Sequence, residues 1–269
     1  QWFKVGVIKG ISSVLEKVNY CWRLFATASV YAVFGVGCVF LPLLAFPPLY
    51  LFSRNQYTRQ KKTRLLIHWT FIVYVHLLKL MRIMDWEVQG IEKLKRPGIL
   101  VVSNHPTLLD VVFLIAFMPN ADCIIKSDIQ KNLIMSRIVL LLGYIKNDRG
   151  ALLIEDAKKS LNYGNSLIIF AEGTRTKPDE EVFFLRGAAN IIIRTKTVPT
   201  PVIINCFPNP LSKENKWYDI PNKRPKLTVR VLEEMELNRF LVLPPGVGAR
   251  QLTNHMEDFF RKEIALNEY

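Results

Sequence analysis

Residues Ile99 to Phe117 read I-L-V-V-S-N-H-P-T-L-L-D-V-V-F-L-I-A-F. The opening Ile99–Ser103 is a short apolar, β-branched run, the pattern of a strand covered on both faces. Pro106 suits the first position of a helix, so the stretch that follows predicts a helix over about 107–117. A strand running through a short polar loop into an apolar helix is half of a βαβ unit.

The same alternation continues outward. Further strands are predicted at Trp86–Gln89, Cys123–Lys126, Tyr144–Lys146, Ser166–Ala171, Pro201–Phe207 and Leu227–Leu232. Helical patterns fall at about 129–142, 151–163, 184–196 and 248–265. Such an order predicts an α/β fold, a mostly parallel sheet flanked by helices. The polar stretch Asn209–Lys226 reads as a surface excursion.

Upstream the texture differs. Leu24 to Ser53 contains no charged side chain, and roughly 20 helical residues suffice to cross a bilayer. Pro42, Pro47 and Pro48 interrupt this run, and an interior proline kinks or ends a helix. Both flanks are basic: Lys4, Lys9, Lys17 and Arg23 before, Arg54, Arg59, Lys61, Lys62 and Arg64 after. A single crossing therefore has no preferred orientation. A monotopic or re-entrant anchor turning at the prolines keeps both flanks on one face and is preferred here over a full span. Trp2, Phe3, Val7, Ile11, Val14, Leu15 and Val18 recur near helical spacing, as in an amphipathic interfacial helix. Residues 1–85 thus read as an N-terminal helical membrane anchor and 86–269 as the α/β domain. His68 and His76, in a second apolar helix, lack a third ligand and read as packed or interfacial side chains rather than a metal site.

Composition narrows the function. Half of the 269 residues are hydrophobic, yet 36 Lys+Arg against 23 Asp+Glu leave a net charge of +13. Apolar and basic together point to anionic membranes or anionic substrates. No nucleic-acid-binding motif is present, and the basic residues gather beside the apolar segment, where they would attract anionic lipids. The four cysteines form no C-x-x-C pair, which argues against a disulfide framework or structural zinc. G-x-S-x-G, H-E-x-x-H and the phosphate-binding G-x-x-x-x-G-K-[ST] are also absent. Gly35 and Gly37, inside the apolar segment, read as helix packing.

The chemistry gathers at predicted strand ends. His105 and Asp110 are five apart, about 140° around a continuous helix. With the helix starting at Pro106, a loop histidine can fold back onto the carboxylate. That makes an oriented general base, although the spacing also fits a capping histidine beside an incidental aspartate. Lys126 closes another predicted strand, Arg149 and Arg175 lie just beyond two more, and parallel sheets bind ligands beyond their carboxyl ends. Three cations near a histidine suit a phosphate-bearing substrate.

N-H-P-T-L-L-D, G-Y-I-K-N-D-R, F-A-E-G-T-R and V-P-T-P-V-I-I, in that order, resemble the four blocks of the glycerolipid acyltransferase family. The branch most similar is the bacterial 1-acyl-sn-glycerol-3-phosphate (lysophosphatidic acid) acyltransferases. The resemblance implies His105 as catalytic base with Asp110 as its partner. It implies an acceptor site at Arg149, Glu172, Gly173, Thr174 and Arg175, with Lys126 contacting phosphate. The implied donor is acyl-CoA or acyl-carrier protein, with no metal or other cofactor. The implied acceptor is a lysophospholipid, lysophosphatidic acid above all, at the cytoplasmic face of a bacterial inner membrane. The same chemistry on a lyso-ornithine lipid, another lysolipid or a hydroxylated or polyene lipid remains open, as does a non-catalytic lipid-binding protein. Phe184-Leu185-Arg186-Gly187 resembles a further family element with its basic residue displaced by one. Thr107 and Ala171 stand where the family commonly has serine and proline, which points to a non-standard acceptor.

Overall fold

The computed structural model describes residues 2–131, 133–176, 180–210 and 216–266, with backbone alone for 2–16, 130–131 and 133–134. Two helices lead: α1 (Trp2–Leu51) and α2 (Gln56–Leu80). Next come β1 (Asp85–Gln89), β2 (Leu100–Ser103), α3 (Asp110–Phe117), β3 (Ala121–Ile125), α4 (Leu133–Leu142), β4 (Ile145–Lys146) and α5 (Ala151–Asn162). The chain closes with β5 (Ser166–Phe170), α6 (Arg186–Thr195), β6 (Pro199–Phe207), β7 (Lys226–Val231), α7 (Asn238–Leu241) and α8 (Pro245–Ala265). Short 3-10 turns lie at Ile91–Lys95 and Ser127–Lys131.

The seven strands form one sheet in the order β1-β7-β6-β2-β5-β3-β4. Every pairing is parallel except that of β6 with β7. All four residues of β2 are buried, because both faces of the sheet are covered. Val101, Ile168, Val202 and Ile204 pack with α1 to α4 on one face. Leu100, Val102, Leu167, Ile169 and Ile203 pack with α5 to α8 on the other. Each such side chain contributes about 1.5–3 kcal/mol by leaving water, so the apolar runs read in the sequence become the central strands.

The predicted turn at the prolines does not occur. The α1 helix passes through Pro42, Pro47 and Pro48 to Leu51, and the chain reverses at 52–55, where Asn55 caps α2 by accepting the Thr58 N–H at 2.8 Å. Each proline forfeits one backbone hydrogen bond. Burial of Phe46 against the shared core and resumption of the ladder (Phe52 N–H to Pro48 O, 2.9 Å) offset that loss. Lys17–Leu51 is long and apolar enough to cross a membrane by length and composition. The side chains expected to make the start of α1 amphipathic lie, apart from Val18, outside the described residues.

The second helix belongs to the α/β core. Ile67, Tyr74, Val75 and Leu78 join the cluster beneath the sheet. Arg64 and Asp122, both almost fully buried, form an ion pair at 2.9 Å. The Arg64 Nε–H also donates to Leu142 O at the end of α4 (2.9 Å). Asp122 Oδ2 accepts the Ser160 hydroxyl of α5 at 2.6 Å. His68 is a packed side chain, its Nδ1 2.8 Å from Ile115 O, and His76 lies edge-on to Trp86.

Candidate active site

The parallel strands β2, β5, β3 and β4 end at one edge of the sheet, and the loops beyond them carry the site. The loop after β2 is clamped first. Asn104 Oδ1 accepts the Ile204 N–H and its Nδ2 donates to Ile204 O, each at 2.8 Å. His105 follows, its ring stacked on Phe170 at the end of β5 (centroids 4.2 Å apart).

His105 Nδ1 lies 2.7 Å from Asp110 Oδ2. The predicted register shifts here: α3 begins at Asp110 rather than at Pro106. Residues 107–109 instead form a turn built on side chains. The Thr107 N–H donates to Asp110 Oδ2 (2.7 Å), the Thr107 hydroxyl donates to Asp110 Oδ1 (2.5 Å), and the Leu109 N–H donates to Thr107 Oγ1 (3.1 Å). Asp110 therefore lies in the first helical turn, where a negative charge is favoured, and folds back toward His105.

Asp110 is fully buried. Burial pushes its carboxyl above the ordinary carboxylate range, opposed by His105 and by the Thr107 donors. With Asp110 accepting at Nδ1, the His105 tautomer carries its proton there and leaves Nε2 free. The backbone N–H groups of Thr107 and Leu109 are spent within the turn.

Glu172 is brought to the same place, but both its oxygens face the protein. Oε1 accepts the His105 N–H at 2.8 Å and Oε2 accepts the Thr176 hydroxyl. The Thr176 N–H returns a bond to His105 O (3.0 Å). Burial raises the Glu172 carboxyl above its ordinary value. Gly173 sits at φ +66°, and a Cβ there would meet Leu185 Cδ1 at 2.7 Å. Thr174 is exposed and Arg175 is half-buried.

Lys126 and Arg149 stand apart from this group. They follow β3 and β4, two and three places from β2 in the sheet, or roughly 10 and 14 Å at ordinary strand spacing. Lys126 is exposed, and Arg149 is ion-paired with Asp156 of α5.

A cavity of about 810 Å³ opens beside the dyad, and His105, Leu108 and Leu109 form part of its wall. The remainder is mostly apolar and comes from α1, α2, α3 and α4, with Phe34, Phe71, Val112 and Ile138 among the lining side chains. Residues 216–225, expected as a free surface excursion, instead close one end of it. The Trp217 ring packs on Tyr31 of α1 (6.2 Å), and the Arg23 guanidinium donates to the backbone oxygens of Asn222 and Lys223 at 3.2 and 3.4 Å. A Cβ on Gly35 or Gly37 would meet nothing within 4 Å, so neither glycine serves close helix packing, and Gly37 opens onto the cavity. Sequence reading missed Arg23, Thr27 and Tyr31 as site residues. Their signal was the i, i+4, i+8 spacing of polar groups entering an uncharged run.

Residues 85–205 match the family profile named Acyltransferase. A 1-acyl-sn-glycerol-3-phosphate acyltransferase of Helicobacter pylori is 32% identical over 99 residues, 35% of this chain and 42% of that protein. One from Saccharomyces cerevisiae is 25% identical over 204 residues, 70% of this chain and 64% of that protein. The chain thus spans less than two thirds of the length of either relative. The crystal structure of the 1-acyl-sn-glycerophosphate (LPA) acyltransferase PlsC from Thermotoga maritima superposes with a TM-score of 0.70 at 19% identity, covering 94% of this chain and 99% of that one. That likeness extends the shared fold across both leading helices. The ordered blocks around His105 and Glu172 lie inside the segment, residues 85–205, that is similar to the Acyltransferase family profile.

Proposed function

We propose that this protein is an O-acyltransferase that moves a fatty acyl group from a thioester donor to the free hydroxyl of lysophosphatidic acid, giving phosphatidic acid. The donor is acyl-CoA or acyl-carrier protein. The observation that carries the reading is the half-buried His105 on the wall of a large, mostly apolar cavity, with the fully buried Asp110 behind it. A fatty acyl chain requires such a cavity to leave water.

His105 Nε2 takes the proton of the acceptor hydroxyl as its oxygen attacks the thioester carbonyl carbon. The resulting imidazolium is stabilised by Asp110. The carbon–sulfur bond then breaks, and the imidazolium returns its proton to the departing thiolate. Ester and free thiol leave without a covalent enzyme intermediate. Glu172 and Asn104 hold the loop that carries the base, while the apolar cavity holds the acyl chain. The basic flanks at Arg54–Lys62 and the apolar outer face of α1 hold the protein against anionic membrane.

The test is acyl transfer by purified protein, with both donors and a panel of lysolipids. His105→Ala should lose turnover by at least about 1,000-fold with its thermal transition unchanged. Turnover retained in that variant would overturn the mechanism. Faster turnover of a lyso-ornithine or other lysolipid would reassign the acceptor. Lipid binding without transfer in the parent protein would leave a non-catalytic lipid carrier.

A further inference from the structure

Arg23, Thr27 and Tyr31 occupy successive turns of α1 at i, i+4 and i+8, which places them on one helix face. All three line the same cavity as His105, and all lie outside the segment matched to the family. They bring a cluster of polar groups to a mostly apolar wall. Thr63, Thr70 and Thr253 each return their hydroxyl to the carbonyl four residues earlier, the usual resting place of a helical threonine. The Thr27 hydroxyl makes no such bond, and neither it nor the Tyr31 hydroxyl has a hydrogen-bond partner among the described residues.

The charge at this end is positive. Arg23 is largely buried, and burial followed by repulsion from Arg224 disfavours its charged form. Arg175 lies within electrostatic reach of the Tyr31 hydroxyl. Asp219 also lines the cavity, with its carboxylate accepting the Lys216 N–H at 2.8 Å within its own loop. An anion at this end of the cavity would gain the Arg23 guanidinium and two hydroxyl donors. Arg149, already paired with Asp156, is committed elsewhere.

We infer that the Arg23–Thr27–Tyr31 face of α1 is a binding subsite for a phosphate group of a substrate. The inference rests on the acyl-transfer reading and deepens it: the N-terminal helix takes part in substrate selection as well as in anchoring. The phosphate can belong to the lysolipid acceptor or to the donor's coenzyme, and paired substrates separate the two sources.

Tyr31→Phe and Thr27→Val remove one hydroxyl each and keep shape, so both should melt like the parent. Steady-state kinetics would compare lysophosphatidic acid with monoacylglycerol, and acyl-CoA with the phosphate-free acyl-pantetheine. Each single variant should raise KM by roughly tenfold, the worth of a lost hydrogen bond to a charged group, and the double variant by roughly a hundredfold, with kcat nearly unchanged. A rise confined to lysophosphatidic acid assigns the acceptor phosphate, and one confined to acyl-CoA assigns the donor. Equal changes with the phosphate-free partners, or no change, would overturn the proposal. Calorimetric binding of lysophosphatidic acid and of CoA provides a readout independent of turnover. If the parent protein transfers no acyl group, binding of either ligand weakened roughly tenfold in each single variant still sustains the subsite, and unweakened binding of both removes it.

Discussion

Thr107 shows how much of a histidine base is made by its neighbours. Its hydroxyl and N–H supply two of the three donors on the Asp110 carboxylate, and the third is His105 itself. A serine-to-threonine difference at this place therefore bears on the base, and the acceptor is not what it faces. Thr107→Val should lower kcat roughly 10- to 100-fold, since a hydrogen bond to a charged group is worth about 1.5–3 kcal/mol, while Thr107→Ser keeps most activity. Single-turnover rates check this. Glu172 gives a pH signature. Its folded carboxyl holds a proton more tightly than the unfolded one, so this group favours the native state at low pH, and that advantage is lost as pH rises above the ordinary 4.5. Glu172→Gln cannot ionise and keeps an acceptor for the His105 N–H. Its melting temperature relative to the parent should therefore rise from acid toward neutral pH, and a flat difference across that range would refute the assignment. His105 and Asp110 were legible as a pair from the proline and the spacing between them. The turn that joins them was not, because it depends on a threonine side chain replacing backbone hydrogen bonds.

Among elements, α2 has the largest structural consequence for its size. Arg64 ties it to β3 through Asp122 and to the end of α4 through Leu142 O, fixing two walls of the cavity, α2 and α4, relative to the sheet. Truncating one partner leaves the other charge buried and alone, which costs about 3–5 kcal/mol. Arg64→Ala and Asp122→Ala should each lose that much in chemical denaturation. The paired change Arg64→Met with Asp122→Leu should recover most of it, since an apolar pair of similar volume carries no desolvation cost. All seven strands could be placed from the sequence, the central β2, β3 and β5 most directly, because nearly every side chain in them is buried and few other structures accommodate such apolar runs. The direction of β7 could not, since β6 and β7 are joined by a long polar segment whose course is set by its contacts with α1. The prolines of α1 misled for a related reason: a helix-breaking residue is judged locally, whereas the packing that carries the helix past it comes from distant parts of the chain.

At the scale of the molecule, the +13 net charge and the apolar outer face of α1 act together. Phe25, Val33, Val36, Phe40, Leu43 and Leu44 are exposed along that helix, and Arg54, Arg59, Lys61 and Lys62 follow at its turn. Binding to vesicles containing phosphatidylglycerol should weaken as salt is raised, because the screening length shrinks from about 10 Å at 0.1 M to about 3 Å at 1 M. Binding that persists at high salt would belong to the apolar face alone. Replacing Arg59, Lys61 and Lys62 by glutamate should abolish the salt-sensitive part in a flotation assay. The sheet also sets a timetable for making the protein. β1 is an edge strand whose neighbour is β7, with Asp85 paired to Lys226, 141 positions later in the chain. At about 5–20 residues per second of synthesis, the first strand waits roughly 7–28 seconds for its partner. Throughout that interval the long apolar helix α1 has already left the ribosome, and the loop that Arg23 will grip has not been made. A membrane surface is then a ready shelter for the nascent chain, and its earliest use would precede any catalysis.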